Sequence, residues 1–422
     1  MVNSASPRST SRPTYAAAVA ITVSLFFLWG MANNLNDILI AQFKKAFVLS
    51  DFGTSFVQQV FYLGYFLFAI PASLLMSARG YKTAIVTGLV LYGCGALLFY
   101  PAAENGVYAL FLLALFIIAS GLAFLETSAN PLMTELGDPA LAARRINWAQ
   151  AANPLGAITG IWVGRNFIFS GIHHDEASLA VMTAAQRLTY YQSEVRAVAP
   201  PYLVIGILVL GFALAASLVR FPPRDAAIRE AIGLRGIGTA FRRPRLLAAA
   251  GAQLLYVGAQ VGIWSYTIRY AQDAVPGIGE RAAADALFAS LVLFAAGRFA
   301  GTAAMARIRP ALLLASFAAA SLVLALAAAL IGGRVGLYAL VGASFFMSIQ
   351  FPTIFALGVE GLGPLRRAGA SLIIMAIIGG AVLTAIMGWL SDLAGIAVAM
   401  LVPAFAFAVI LVFALRAVRG VR

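Results

Sequence analysis

Four groups of polar side chains, set at helical spacing inside apolar runs, carry the chemistry of this sequence. Trp29, Asn33 and Asp37 recur at i, i+4 and i+8, so an indole, an amide and a carboxylate share one helix face, with Asn34 and Asn36 beside them. Glu126 and Asn130 repeat the pairing at i, i+4, and Asn147, Gln150 and Asn153 follow at every third residue. In the second half of the chain Gln253, Tyr256, Gln260 and Trp264 form a stripe of amides and aromatic rings, and Gln350, Ser371 and Thr384 are the other polar groups taken to lie mid-run. Of the 16 Asp and Glu, only Asp37 and Glu126 fall inside an apolar run; the rest lie at run ends or in connections. A carboxylate in hydrocarbon costs several kcal/mol, about 3 on insertion scales, so such residues are expected to face a polar path and to take up a proton. Amides can equally join helices to one another. Three stripes, two of them with a carboxylate, exceed what joining requires. A solute rich in hydroxyl groups suits them: amides and carboxylates pair with hydroxyls, and an aromatic ring packs on the C–H face of a sugar.

The elements that must hold these residues are membrane spans. Of the 422 residues 62% are hydrophobic and 11% charged, with mean hydropathy +0.91, whereas soluble domains carry about 25% charged residues. The sequence predicts an all-α polytopic membrane protein of twelve transmembrane helices. Runs long enough to cross a bilayer lie near 15–43, 54–77, 83–102, 106–133, 146–169, 198–220, 246–272, 283–305, 310–331, 335–358, 367–390 and 393–415. The longer connections are 170–197 and 221–245. The second is basic, and divides the chain into six-helix halves at 1–220 and 246–422, with the polar proton and sugar groups concentrated in the first. A 6+6 plan with a charged central loop is that of transporters whose halves rock about a midplane site. The polar tail 1–14 and the length of the first run argue for a retained span and against a cleaved leader.

The formal charge of +13 does not point to nucleic acid. With both termini on the cytoplasmic side, most of the 29 Lys and Arg lie there, Arg298 among them. The exceptions are Lys44, Lys45, Arg165, Arg187, Arg196, Arg269, Arg281 and Arg334. That bias follows the positive-inside rule and predicts a multi-pass protein of the inner membrane. The one Cys, Cys94, excludes a disulfide framework and a cysteine metal site. His173, His174, Asp175 and Glu176 resemble a metal cluster, but consecutive ligands in an external loop do not preorganise one. No Gly-rich loop with Lys-Ser/Thr is present, which argues against an ATP-driven pump; the 39 glycines suit close helix packing.

Longer motifs carry a resemblance. FFLWGMANNLNDILIAQFKKAF (26–47), FYLGYFLFAIPASLLM (61–76), GLAFLETSANP (121–131) and INWAQAANPLGAITG (146–160), with YVGAQVGIWSY (256–266) and GRFAGT (297–302), resemble the fucose–galactose–glucose–proton symporter family of the major facilitator superfamily. The likeness covers nearly the whole chain, with Ser128 where Ala is frequent. It implies a monomeric symporter that needs no cofactor beyond the proton gradient and carries a hexose, L-fucose first and galactose or glucose next. It implies that Asp37 and Glu126 couple protonation to sugar binding, with Asn153, Trp29 and Trp264 around the cavity. Together with Asn33, Asn36, Asn130, Gln150 and Gln260 these form the expected sugar site. Three alternatives compete: a facilitator without protons, an exporter of amphipathic compounds, which would want a more apolar cavity, and a membrane enzyme, for which no mid-span nucleophile and base are paired.

Overall fold

A backbone crossing hydrocarbon must satisfy its own hydrogen bonds, so each apolar run has to become a helix. The computed structural model describes residues 15–49, 51–136, 138–168, 181–222, 234–276, 278 and 280–419. Its helices are α1 (Ala16–Ala46), α2 (Asp51–Arg79), α3 (Tyr81–Asn105), α4 (Tyr108–Glu135), α5 (Ala142–Gln150), α6 (Ala152–Val163), α7 (Ala184–Arg196), α8 (Ala199–Leu218) and α9 (Leu234–Ala240). They continue with α10 (Pro244–Ala274), α11 (Glu280–Ala304), α12 (Pro310–Leu330), α13 (Gly333–Met347), α14 (Gln350–Val359), α15 (Arg366–Met375), α16 (Gly379–Ala394), α17 (Ile396–Ala399) and α18 (Leu401–Arg419). Among the described residues eleven helical stretches are long and apolar enough to span a bilayer. The remaining expected span, 146–169, is divided into α5, α6 and a π-helical turn at Gly164–Ile168. The connection 170–197 is shorter than the sequence suggested, because α7 occupies 184–196 and leads into α8.

Proline explains two of the breaks. Pro154 lacks the N–H that would bond the Gln150 carbonyl, and at that point the helix tightens, Ala151 N–H bonding the Trp148 carbonyl at 3.1 Å. Pro352 does the same to Ser348, separating α13 from α14. The Tyr256 hydroxyl of α10 donates to the Met347 carbonyl at this break, 2.9 Å away. Pro131 lies within α4, immediately after Asn130. In each case an amide side chain sits within two residues of the proline, so the polar stripes coincide with loosened backbone.

The first six spans pack among themselves, α3 against α4 and α8, and α1 against α6; the last six do likewise around α10, α12 and α18. Two six-helix halves result. They meet at the arginine-rich end of the bundle. Ser73 Oγ of α2 donates to the Arg367 carbonyl of α15 at 3.0 Å, and the Arg367 guanidinium lies 4.7 Å over the Tyr81 ring. Asn147 Nδ2 of α5 donates to Thr353 Oγ1 of α14 at 3.1 Å.

Helices α1 and α6 are drawn together by glycine. A Cβ on Gly30 would strike the Asn153 carbonyl, and one on Gly156 the Phe27 carbonyl. Gly156→Ala is expected to destabilise the protein by about 1–3 kcal/mol through overpacking, seen as a lower melting temperature in detergent. A mid-membrane glycine facing lipid, such as Gly211, has open space at the same position, and Gly211→Ala is the control that leaves melting unchanged or raised.

Candidate functional site

Helices α1 and α2 run antiparallel in a fixed register. Trp29 Nε1 donates to Tyr65 Oη at 2.6 Å, and seven residues further along α1 and back along α2, Asn36 Nδ2 donates to Gln58 Oε1 at 3.2 Å. Asn36 is 2% exposed with its Oδ1 unpartnered, so its described contact joins two helices, the role amides often play in membranes. Trp29 is half-buried and also faces the other half, its ring 6.0 Å from that of Phe351 in α14. Asn33, one turn on from Trp29, is half-buried and bonds no described residue, while Asn34 donates to the carbonyl of Gly30 at 3.0 Å. Asp37 lies in α1, but its side chain is outside the described residues, as are His173, His174, Asp175 and Glu176.

Glu126 sits in the middle of α4 at 2% exposure, and neither carboxylate oxygen has a hydrogen-bond partner. Tyr65 of α2 is near enough to interact with it electrostatically. Because the indole is donor-only, Trp29 makes Tyr65 Oη an acceptor and leaves the phenol O–H free to turn to another group. One turn after Glu126, Asn130 is fully buried; its Oδ1 accepts from Gln150 Nε2 at 2.7 Å, and its Nδ2 is unpartnered. The stripes of α4 and α5 therefore meet, a pairing that their sequence spacing alone did not give. Asn153 does not join them: it lies half-buried on α6 against α1, its Nδ2 3.4 Å from the Phe26 carbonyl.

Across the bundle, α10 presents Gln260 and Trp264, both half-buried. Trp264 Nε1 donates to Ser344 Oγ at 3.1 Å and its ring meets Phe294 edge-on at 5.0 Å. Gln260 bonds no described residue. Gln253 and Tyr256, on the same stripe, are fully buried, and Gln253 has both amide atoms unpartnered.

One charged residue contradicts the sequence reading. Arg298 was assigned to the cytoplasmic edge with the other arginines, yet it lies six residues inside the end of α11, about 9 Å along the axis, and is 2% exposed. Its Nη1 donates to Gln150 Oε1 at 3.1 Å, and the guanidinium lies 5.1 Å over the Phe294 ring. The C-terminal half thus supplies a buried cation to the polar groups of the N-terminal half. Its position between the apolar stretches 286–297 and 299–306 was a signal in the sequence; the nearby Arg307 and Arg309 masked it. Glu194 is a second departure: it is fully buried, held by Gln42 Nε2 at 2.8 Å between α7 and α1.

The arrangement separates two kinds of group. Trp29, Asn33, Asn153, Gln260 and Trp264 are half-buried and able to meet a solute, whereas Glu126, Asn130 and Gln150 are buried behind them. A family model for the Major Facilitator Superfamily matches residues 17–378. The chain is 44% identical to the L-fucose-proton symporter of Escherichia coli over 407 residues, 95% of this chain and 93% of that one. It is 34% identical to a glucose/galactose transporter of Brucella abortus, covering 96% and 95% of the two chains. A solved structure of the transporter FucP in the outward conformation superposes with a TM-score of 0.87 at 44% identity, covering 96% of this chain and 99% of that one.

Proposed function

From the premise that this chain belongs to the major facilitator superfamily, we propose that it is a proton-driven sugar symporter with L-fucose as its substrate. Sugar crosses the membrane without covalent change, so the protein is a transporter and not an enzyme. The observation that carries the reading is Glu126. A carboxyl at mid-membrane, 2% exposed and with no partner for either oxygen, is costly as a charge and serves no structural contact. Taking a proton removes the charge, and sugar binding follows.

The arginine-rich end is the cytoplasmic one by the positive-inside rule. The contacts Ser73–Arg367 and Asn147–Thr353 then close the cytoplasmic side, and the joined ends leave the site facing outward, in keeping with the outward-facing relative. Half-buried Trp29, Asn33, Asn153, Gln260 and Trp264 contact the sugar; Glu126, Asn130 and Gln150 sense the proton behind them; Asp37 is the second acid. Two interacting carboxylates titrate as a pair, so the proton belongs to both. The halves 1–220 and 246–422, joined by 221–245, rock to release sugar and proton inward from a single chain in the inner membrane, and no cofactor takes part.

Uptake of radiolabelled L-fucose, galactose and glucose into proteoliposomes, with acid outside and with a protonophore control, tests this. Fucose accumulation that collapses with the protonophore is the expected result. Accumulation of another hexose instead would change the substrate, and equilibration without accumulation would replace symport by facilitated diffusion. The closed end has its own test. Ser73→Ala with Thr353→Val removes two bonds between the halves, worth about 1 kcal/mol each. The double variant should favour the inward-open state more than tenfold, read as faster alkylation of a cysteine introduced at Ala143, which is 8% exposed in the closed arrangement.

A further inference from the structure

The donor sense of the buried bonds between the halves is fixed by one residue. A guanidinium has only donors, so Gln150 must turn its oxygen to Arg298. Its NH2 then faces Asn130, which must answer with its own oxygen. That leaves Asn130 Nδ2, unpartnered and buried, one helical turn from the two unpartnered oxygens of Glu126. Both bonded donors in the series, Arg298 to Gln150 and Gln150 to Asn130, therefore run from the cation to the residue one helical turn from the carboxyl. No amide flip can reverse the series without opposing donor to donor at Arg298.

Arg298 is in the wrong place for a structural arginine. It is 2% exposed, no carboxylate lies within ion-pairing distance among the described residues, and its Nε is unpartnered. Among the described residues, Tyr256 of α10 is an ionisable group that interacts with it electrostatically. Among the described residues, Tyr65 of α2 interacts electrostatically with Glu126, and Tyr62 of α2 and Tyr92 of α3 interact with Tyr65. A buried cation with no carboxylate partner in one half and a buried acid with no hydrogen-bond partner in the other thus stand, among the described residues, at the two ends of a series of two bonded amides, whose last N–H and the Glu126 oxygens are both unpartnered.

We propose that Arg298 is the counter-charge that allows Glu126 to release its proton, acting through the Gln150–Asn130 amide pair. The inference rests on the symport reading above and adds a positioning residue to it. When the Glu126 O–H bond breaks, the proton leaves on water and the carboxylate oxygen accepts the free Asn130 N–H. The amides then polarise in series towards Arg298, which compensates the new charge and tightens the contact between the halves while the empty carrier returns. Protonation of Glu126 removes that acceptor and relaxes the contact. Without the cation, Glu126 keeps its proton, and the carrier shuttles only in its loaded form.

The test separates two activities of reconstituted protein: uphill accumulation of labelled L-fucose driven by an acid-outside gradient, and exchange of labelled for unlabelled fucose with no gradient. Exchange needs only the loaded, protonated carrier, whereas accumulation needs the proton to come off. Arg298→Gln keeps a donor for Gln150 but no charge; it is expected to exchange within about threefold of wild type and to accumulate at least tenfold less. Arg298→Lys keeps the charge and should restore at least half of the accumulation. Wild-type accumulation by Arg298→Gln overturns the proposal, as does parallel loss of both activities in folded Arg298→Gln or failure of Arg298→Lys to restore accumulation. A wild-type protein that exchanges but never accumulates overturns symport itself, and is recognised before any variant is read.

Discussion

Glu126→Gln is expected to lower the sugar concentration ratio sustained across a membrane from about 50 to about 1. One proton crossing 100 mV supplies about 2.3 kcal/mol, which at 1.36 kcal/mol per decade corresponds to about 50-fold accumulation. Gln has nearly the shape of a protonated carboxyl and no proton to give up. The variant should therefore hold sugar at every pH, with affinity within about tenfold of the acidic wild type. Wild-type affinity should weaken as pH rises, because the proton that neutralises Glu126 is lost. Intrinsic fluorescence offers the binding readout, since half-buried Trp29 and Trp264 border the proposed site. A Glu126→Gln variant that still concentrates fucose against its gradient would move the proton site elsewhere, and Asp37→Asn is then the variant to compare. Glu126 is the first variant to read because both its oxygens are buried and free of hydrogen bonds; of the other polar side chains of α4, Ser120 and Thr134 bond the carbonyls of their own turns, while the Thr127 and Ser128 hydroxyls are likewise unpartnered.

Trp264→Ala is expected to weaken sugar binding by about 10- to 100-fold while leaving proton coupling in place. Truncating a central aromatic contact typically costs about 1–3 kcal/mol of binding free energy. The indole is held at both ends, Nε1 by Ser344 at 3.1 Å and the ring by Phe294 at 5.0 Å, so its free face is presented rigidly. Trp264→Phe keeps a ring and loses the bond to Ser344, and should fall between the two. The relevant measurement is the concentration for half-maximal exchange together with the accumulation ratio at saturating sugar. Weaker binding with an unchanged ratio is the expected pattern. An unchanged half-saturation would take Trp264 off the sugar path and leave Gln260 as the contact from α10.

The two variants divide the site as the burial divides it. On the proposed reading, half-buried groups govern how well sugar is held and fully buried ones whether the proton travels with it. Asn153 belongs with the first set, since it sits on α6 at the contact with α1, not on the buried chain of amides. Asn36 belongs to the pairing of α1 with α2, so Asn36→Leu should lower stability more than affinity.

The plan of spans was legible in the sequence because its causes are local. A bilayer sets the length of an apolar run, and a charge among apolar residues is costly wherever the helix goes. Glu126 and the stripe containing Asn130 could be found for that reason, as could the polar face that carries Gln150. What the stripe leaves open is its partner. The spacing of Asn36 placed it on the face of Trp29, but only packing showed that its described partner is Gln58 of α2. Arg298 lies 148 residues from Gln150, and no local rule links them. Run-end arithmetic placed it with the edge arginines, because a six-residue margin is within the error of a span boundary. The breaks at Ala151 and near Ser348 were marked by Pro154 and Pro352 but not read, since a proline in a span can kink the helix or divide it according to what satisfies the freed carbonyl. At Met347, beside the second break, a carbonyl finds the Tyr256 hydroxyl of another helix. The sequence alone determined where the apolar spans run and which of their faces are polar. Tertiary packing decided which polar faces meet, because an angle around a helix axis names a direction and not a neighbour.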